Sequence, residues 1–314
     1  MTGEGHSHAH RLEGVSDARL VAAVAVNVLL TAAQIVGGLV SGSLSLIADA
    51  LHNLSDAGAL ALALFARKVG RRPADKLMTF GYARAEVVAA LINLTTLVLI
   101  GLYLIYEAID RFLNPRPIEG WIVVAVAGVA LVVDLVTAAL VQGGAKRSLN
   151  IKAAFLHNVS DALASVGVIV AGTLILLYDL YVSDLVVTLI IAAYVLYQGV
   201  SLLPRTIRIL LGATPDDVEF DEIVAVLRGV EGVRDIHHVH VWSLDEHTRA
   251  LEAHLVPAEG SIEAFEGLKG RVRTALERFS IRHATLEPCL QDTRGDESRL
   301  VPPHPQEEAP HARR

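Results

Sequence analysis

Six apolar runs crowd into the first two thirds of this chain, and they constrain its fold more than any other feature. They cover roughly residues 20–41, 43–66, 87–106, 121–141, 153–178 and 185–204. Each meets the ~20 residues that a helix needs to cross ~30 Å of hydrocarbon. So many runs within 205 residues leave almost no polar surface to cover them, so a large soluble core is a poor account. Insertion in a bilayer is the expectation. Composition agrees: 53% of the 314 residues are hydrophobic and 19% are charged, whereas soluble domains run near about 45–50% and about 25%. The same hydrophobicity excludes disorder as the main state.

The charges are unevenly placed. Residues 1–205 hold 14 Lys and Arg against 14 Asp and Glu, and residues 206–314 hold 13 against 20. The formal net charge of -7 therefore lies wholly beyond Pro204 and Arg205, in a water-soluble part. An acidic total argues against nucleic acid as the main partner. One cysteine, Cys289, excludes a disulfide framework and a multi-cysteine metal cluster.

Connecting segments set the expected orientation. Arg67, Lys68, Arg71, Arg72, Lys76 and Arg84 flank the second-to-third loop, and Lys146, Arg147 and Lys152 the fourth-to-fifth. The opposite side offers only Arg111 and Arg116. The basic loops are thus expected in the cytoplasm, with both termini beside them in a multi-pass protein of the cell's inner or plasma membrane. No signal peptide is expected, because the first apolar run is too long and lacks a cleavage pattern.

Within the six runs there is no Lys, Arg or Glu, yet four aspartates remain, Asp49, Asp56, Asp134 and Asp161, with two histidines, His52 and His157. A charge at mid-bilayer costs about 2.5–3.5 kcal/mol on insertion scales, so something must compensate it. Two of the runs carry the same pattern, His52-Asn53-Leu54-Ser55-Asp56 and His157-Asn158-Val159-Ser160-Asp161. His and Asp at i and i+4 share one helix face. Two packed helices would then aim two imidazoles and two carboxylates at one point, which suits tetrahedral Zn2+. A divalent ion would also cancel the two buried negative charges. The intervening Asn and Ser residues are read as packing. Asp49 is open between an entry carboxylate, a proton acceptor and a structural pair, and Asp134 between the same cavity and an interhelix contact. Asn27 and Gln34 are read as packing or cavity-lining.

Four stretches in order, GGLVSGSLSLIADALHNLSD, RRPADKLMTFGYARAEVVAALIN, AAFLHNVSDALASVGV and HHVHVWSL, resemble the cation diffusion facilitators. These are six-span transporters that export divalent metals, and the resemblance covers about residues 18–290. It implies a transport site at His52, Asp56, His157 and Asp161, and a homodimer that exchanges metal for protons by alternating access. The His-Asp, His-Asp version resembles zinc-preferring members, so Zn2+ is the expected cargo, with cobalt, cadmium or iron(II) as lesser ones. Two departures stand out. GGAKRSLNIK between the fourth and fifth runs is short and has no histidine, and the loop after the second offers only Asp75 as a ligand, expected to pair with an Arg.

Zinc needs neutral imidazole, so protons compete for the ligand nitrogens. A side chain that titrates near about pH 6.5 would load metal on the cytoplasmic side and release it to a more acidic exterior. Gly37, Gly38, Gly42 and Gly58 would serve either close packing or sliding of helices.

The soluble part reads as αββαβ: a helix at Val218–Val230 with polar caps at Thr214–Asp217, strands at Asp235–Ser243 and Arg249–Pro257, a helix at Ile262–Phe279, and a strand at Ile281–Pro288. This order fits a ferredoxin-like sandwich. By the resemblance, His237, His254 and His283 are regulatory metal ligands, with Glu287 or Cys289 as a fourth. Three positions apart on a strand, His237 and His240 should face opposite sides. The expected organisation is therefore a His-containing cytoplasmic tail at 1–17, a six-helix membrane domain at 18–205, an α+β ferredoxin-like cytoplasmic domain at 206–290 and a disordered tail at 291–314. His6, His8 and His10 would gather zinc weakly or simply be solvated, as His247 would be.

Three functions compete: a zinc/proton antiporter, an intramembrane metalloenzyme and a zinc sensor without flux. The enzyme is disfavoured because H-E-x-x-H is absent and no span holds a Glu.

Overall fold

The computed structural model describes residues 17–145, 149–245, 248–259, 261–289 and 300–301, with side chains in the first helix from Val28 onward. The expectations for His6, His8, His10, Lys146, Arg147, His247, the Asn27 side chain and the tail beyond 290 lie largely or wholly outside these residues. The chain forms two compact units, one holding residues up to Leu60 and Thr96–Gly199, the other Ala61–Thr95 and Val200 onward.

Six long helices precede the soluble part: α1 (Asp17–Ser41), α2 (Leu44–Gly70), α3 (Arg84–Leu113), α4 (Gly120–Ala145), α5 (Leu149–Tyr178) and α6 (Val182–Leu210). Four of them, α3 to α6, are long and apolar enough to cross a membrane. In α1 the described apolar stretch is Val28–Ser41. Helix α2 has the length, but His52, Asn53, Asp49 and Asp56 lower its apolarity. Burial in the first unit is inverted relative to a soluble protein. Gln34, Asp49, His52, Asp134, Asp161, Asp184 and Thr188 are buried, while Leu29, Leu39, Leu140, Leu163 and Tyr197 are exposed. Only a lipid solvent makes that arrangement favourable. This is a helical membrane domain.

Small residues bring its helices close. A Cβ on Gly37 would lie 2.9 Å from Val126 of α4, one on Gly38 2.6 Å from Ile47 of α2, and one on Gly172 of α5 3.0 Å from Val123 of α4. On Gly101 of α3 it would lie 2.5 Å from Leu196 of α6. Gly58, grouped with these on sequence, has nothing within 4 Å of such a Cβ. Gly42 makes the α1–α2 turn at φ +73°, where a side chain would be strained and would meet the Pro117 carbonyl at 2.9 Å. Arg111 donates to its carbonyl.

The start of α2 is held by a buried carboxylate 140 residues away in sequence. Asp184 accepts from Leu44 N–H at 2.7 Å, Ser43 Oγ at 2.6 Å and Ser45 Oγ at 2.5 Å. It thus caps α2 from the first turn of α6, satisfying N–H groups that have no partner inside the helix.

In the second unit, α7 (Phe220–Arg228), β1 (Val233–Ser243), β2 (Arg249–Pro257), α8 (Ile262–Glu277) and β3 (Ile281–Pro288) follow in turn. The sheet order is β1-β2-β3, with β1 and β2 antiparallel and β2 and β3 parallel. The order αββαβ is as read, and the ends of the helices differ. Helix α7 starts at Phe220 because Asp216 and Asp217 are drawn into ion pairs with Arg208 and Arg249. Helix α8 stops at Glu277, and Ser280 at φ 58° turns the chain into β3. Ser261 caps α8 by accepting from Ala264 N–H at 3.2 Å. Ile223, Leu227, Ile236, Leu251, Leu255, Leu268 and Leu276 form the core between helices and sheet.

Candidate metal centre

Helix α2 carries His52 and Asp56 one turn apart, and α5 carries His157 and Asp161 in the same spacing. The structure brings donor atoms of His52, Asp56 and Asp161 within 4.8 Å of one another, and sets His157 against both carboxylates. His52 Nε2 lies 3.6 Å from Asp56 Oδ2 and 3.6 Å from Asp161 Oδ1. His157 Nε2 lies 3.4 Å from Asp56 Oδ2 and 3.5 Å from Asp161 Oδ2. Each carboxylate thus serves both imidazoles. These separations are too long for hydrogen bonds, and His52 Nδ1, Asp56 Oδ2 and Asp161 Oδ1 are buried without a hydrogen-bond partner. They suit a different geometry. Donors at about 2.0–2.2 Å from one tetrahedral centre stand about 3.3–3.6 Å apart, a range that the four His–Asp separations meet, while His157 lies outside the set of three that are mutually within 4.8 Å. His52 and Asp161 are buried, whereas His157 is 45% exposed and marks the accessible side of the cluster.

Surrounding residues fall outside the four. Asp49 accepts from Gln34 Nε2 at 2.6 Å, and Gln34 Oε1 accepts from Asn53 Nδ2 at 3.1 Å, so Asp49 sits in a structural pair. Asp134 accepts from Ser165 Oγ at 3.3 Å, an α4–α5 contact. Ser160 donates back to the Leu156 carbonyl at 3.1 Å, away from the cluster. Two participants were not singled out in the sequence. Tyr194 of α6 stands edge-on to His52, with ring centroids 5.8 Å apart, and Asp184 anchors the helix that carries His52. Asp184 lay just outside an apolar run; its one signal was an acid at a helix start.

A second cluster lies on the sheet face opposite the α7 and α8 core. His237 Nε2 is 3.5 Å from Cys289 Sγ, and His254 Nδ1 is 3.8 Å from it. His237 and His254 are paired across the strands, and His254 Nε2 is 3.5 Å from Glu287 Oε2. His238 stacks on His254 with ring centroids 4.4 Å apart. Burial, with His238 beside it, holds the His254 imidazole below the ordinary range, against the pull of Glu287. His283 is not brought here. It pairs with Ala250, four positions from the His254–Glu287 pair, about 13 Å along the strand, and its ring meets Phe80 at 5.4 Å. Cys289 takes the place expected for it.

The expectation that His237 and His240 face opposite sides fails. A bulge between them, with His238 at φ 50°, adds a residue and resets the alternation. Ile236, Val239 and Val241 point into the core, so His237 and His240 share the outer face. His240 lies opposite Glu252 with its ring 5.0 Å from that of His238, and is not one of the His237, His254 and Cys289 set. Asp75 also departs from expectation: its carboxylate accepts from Tyr82 Oη at 2.7 Å and from Leu77 and Met78 N–H at 2.8 Å, and pairs with no Arg among the described residues.

Comparison with known proteins completes the picture. Residues 20–211 match the family model of the cation efflux transmembrane domain, and residues 215–287 that of the cation efflux protein cytoplasmic domain. The chain is 37% identical over 296 residues to the metal cation efflux system protein CzcD of Cupriavidus metallidurans, covering 92% of each chain. It is 35% identical over 281 residues to the cadmium, cobalt and zinc/H(+)-K(+) antiporter of Bacillus subtilis, covering 88% of this chain and 90% of the other. To the zinc transporter ZitB of Escherichia coli it is 32% identical over 298 residues, with 94% of each covered. With a membrane domain that gathers two His–Asp pairs and a separate α+β domain matching in turn, the chain belongs to the cation efflux, or cation diffusion facilitator, family.

Proposed function

We propose that this protein exports divalent metal, zinc foremost, across the membrane in exchange for protons. His52, Asp56, His157 and Asp161 form the transport site in this reading. The carrying observation is the set of four His–Asp separations of 3.4–3.6 Å, in which the buried Asp56 Oδ2 and Asp161 Oδ1 have no hydrogen-bond partner. The relatives named for zinc, cadmium and cobalt support divalent cargo, and the absence of sulfur in the membrane cluster disfavours Cu(I). The two carboxylates balance a +2 charge, so the loaded site is neutral inside the bilayer. Each imidazole must be neutral to bind metal, so release is favoured where protons are abundant.

The wider architecture follows from the same reading. Helices α1 to α6 make six spans over 18–205, with both termini and the α2–α3 link in the cytoplasm. The αββαβ unit at 206–290 is a ferredoxin-like sandwich lacking its first strand, which explains the parallel β2–β3 pair. It supports a homodimer in which His237, His254 and Cys289, with Glu287 beside them, take a regulatory Zn2+. The tails at 1–17 and 291–314 stand outside both domains.

Proteoliposomes loaded with a zinc-sensitive dye test the assignment. Flux should vanish in Asp161→Ala and persist in His237→Ala. Flux that survives Asp161→Ala would sink the site, and a wild type that binds zinc without flux would make the protein a sensor.

A further inference from the structure

The link between α2 and α3 carries a feature that metal transport does not use. Arg67, Lys68, Arg71, Arg72, Lys76 and Arg84 are all exposed, and none forms an ion pair with a described residue. Among these cations, Leu77 is 89% exposed, Met78 49% and Phe80 59%. Such side chains on a loose loop would mean little, but this loop is built. The Asp75 carboxylate gathers Tyr82 Oη and the Leu77 and Met78 N–H groups, which hold it ionised below its ordinary range. The Met78 carbonyl accepts from Asp75 N–H at 3.1 Å and Gly81 N–H at 2.9 Å. Gly81 at φ +77° closes the turn, and the Arg72 guanidinium stands 6.0 Å over the Tyr82 ring. An ordered turn therefore presents three large apolar side chains outward amid unpaired positive charge.

Beside it runs a groove of about 690 Å³. Leu62, Phe65 and Val69 of α2 and Val88 and Ile92 of α3 wall it, and Arg84 also lines it. The wall from Leu62 to Val69 runs about 10 Å along the helix axis. The Arg84 Nε donates to the Leu244 carbonyl at 3.3 Å, so the β1–β2 turn roofs this end. In that roof the Asp245 carboxylate accepts from Thr248 N–H at 2.7 Å.

We propose that the α2–α3 turn and this groove bind an anionic phospholipid of the cytoplasmic leaflet. The acyl chain lies between the ends of α2 and α3, the headgroup phosphate meets Arg84, Arg72 and Arg71, and Leu77, Met78 and Phe80 seat the turn in the interface. The chemistry selects this occupant. The walls are apolar for about a third of a bilayer's thickness, with Arg84 in the lining and Arg71 and Arg72 on the adjoining turn, as a glycerophospholipid changes from tail to anion. A soluble apolar ligand would leave those cations unused, and an acidic peptide would leave the exposed Leu77 and Phe80 without an apolar surround. The proposal rests on the reading that α2 and α3 meet the membrane surface at this turn.

The full chain in vesicles of phosphatidylglycerol and phosphatidylcholine gives the test. Phosphatidylglycerol with a photoactivatable group in its acyl chain should label peptides holding Phe65, Val69 and Val88, and the phosphatidylcholine analogue should label them at least fivefold less. Each cation near an anionic surface is worth about fivefold, so combining Arg71→Gln, Arg72→Gln and Arg84→Gln should cut labelling more than tenfold. Zinc binding at the membrane cluster, unchanged in that variant, reports correct folding. Asp75→Asn, which opens the clasp and removes no cation, should also lower labelling. Equal labelling by the two lipids, or labelling unmoved in the triple variant, overturns the proposal. So does a groove that stays unlabelled while Phe80→Cys cross-links two copies, which would make a second copy the occupant. Thr79→Cys, probed with a membrane-impermeant maleimide, separates the two layers. Reaction in inside-out vesicles and not in intact cells keeps the topology whatever the lipid result, and the reverse overturns the topology and the leaflet together.

Discussion

Proton competition at the membrane cluster gives the sharpest test, because the geometry sets its magnitude. Both Nε2 atoms face both carboxylates at 3.4–3.6 Å. Each imidazole must shed its proton on that nitrogen to bind zinc. In the acid limit, loading a doubly protonated site releases two protons, so the dissociation constant rises about 100-fold per pH unit, or about 2.8 kcal/mol. With His157→Ala one imidazole remains, and the limiting rise falls to about tenfold, or about 1.4 kcal/mol. The assay is competition with a fluorescent zinc chelator, on the full chain in detergent, from mildly alkaline to mildly acid pH. Both proteins carry His237→Ala and Cys289→Ser, so that the second cluster does not contribute. A slope that His157→Ala leaves unchanged would refute a shared two-imidazole site. A shallow wild-type slope of one or less would do the same.

Other outcomes follow from packing and charge. Gly101→Ala should destabilise the membrane domain by about 1–3 kcal/mol, because its Cβ meets Leu196 at 2.5 Å, whereas Gly128→Ala, with nothing within 4 Å, should be tolerated; heating followed by size-exclusion chromatography compares them. Asp184→Asn leaves the buried donors of Leu44, Ser43 and Ser45 facing an amide and should cost about 3 kcal/mol, read as a lower midpoint in the same assay. The lowered His254 value means that the unfolded chain binds the proton more readily than the folded one. Stability of the C-terminal unit should therefore fall as pH drops through the ordinary imidazole range toward the lowered one, and stay flat above it; a denaturant midpoint that rises on acidification would contradict this. Cys289→Ser should weaken zinc binding at the second cluster at least tenfold in titrations of the full chain with Asp161→Ala, while His283→Ala should not.

The membrane cluster was legible because its signal is local. Two identical i, i+4 patterns sit in apolar runs, and the helix alone puts His and Asp on one face, so only the meeting of α2 and α5 remained for the fold to supply. The second cluster was harder for a stated reason. Strand parity assigns faces only while the strand stays regular, and the His238 bulge and the Arg249/Ala250 register shift each move the count by one. Those irregularities put His240 on the face of His237, while the β2–β3 register carried His283 four positions from His254 and brought Cys289 in. Helix ends behaved likewise: Asp216 and Asp217, read as caps, were claimed by Arg208 and Arg249.

The sequence by itself therefore determined the solvent, the helical runs, the charge-poor spans and the four polar residues that they retain, since each depends on composition and short spacing. Tertiary structure alone decided the partners of Asp49 and Asp134, the cap that Asp184 places on α2 and the ligand set on the sheet. Each of these joins groups that no local period relates, and burial obliges every such polar group to find whichever partner the packed chain brings within reach.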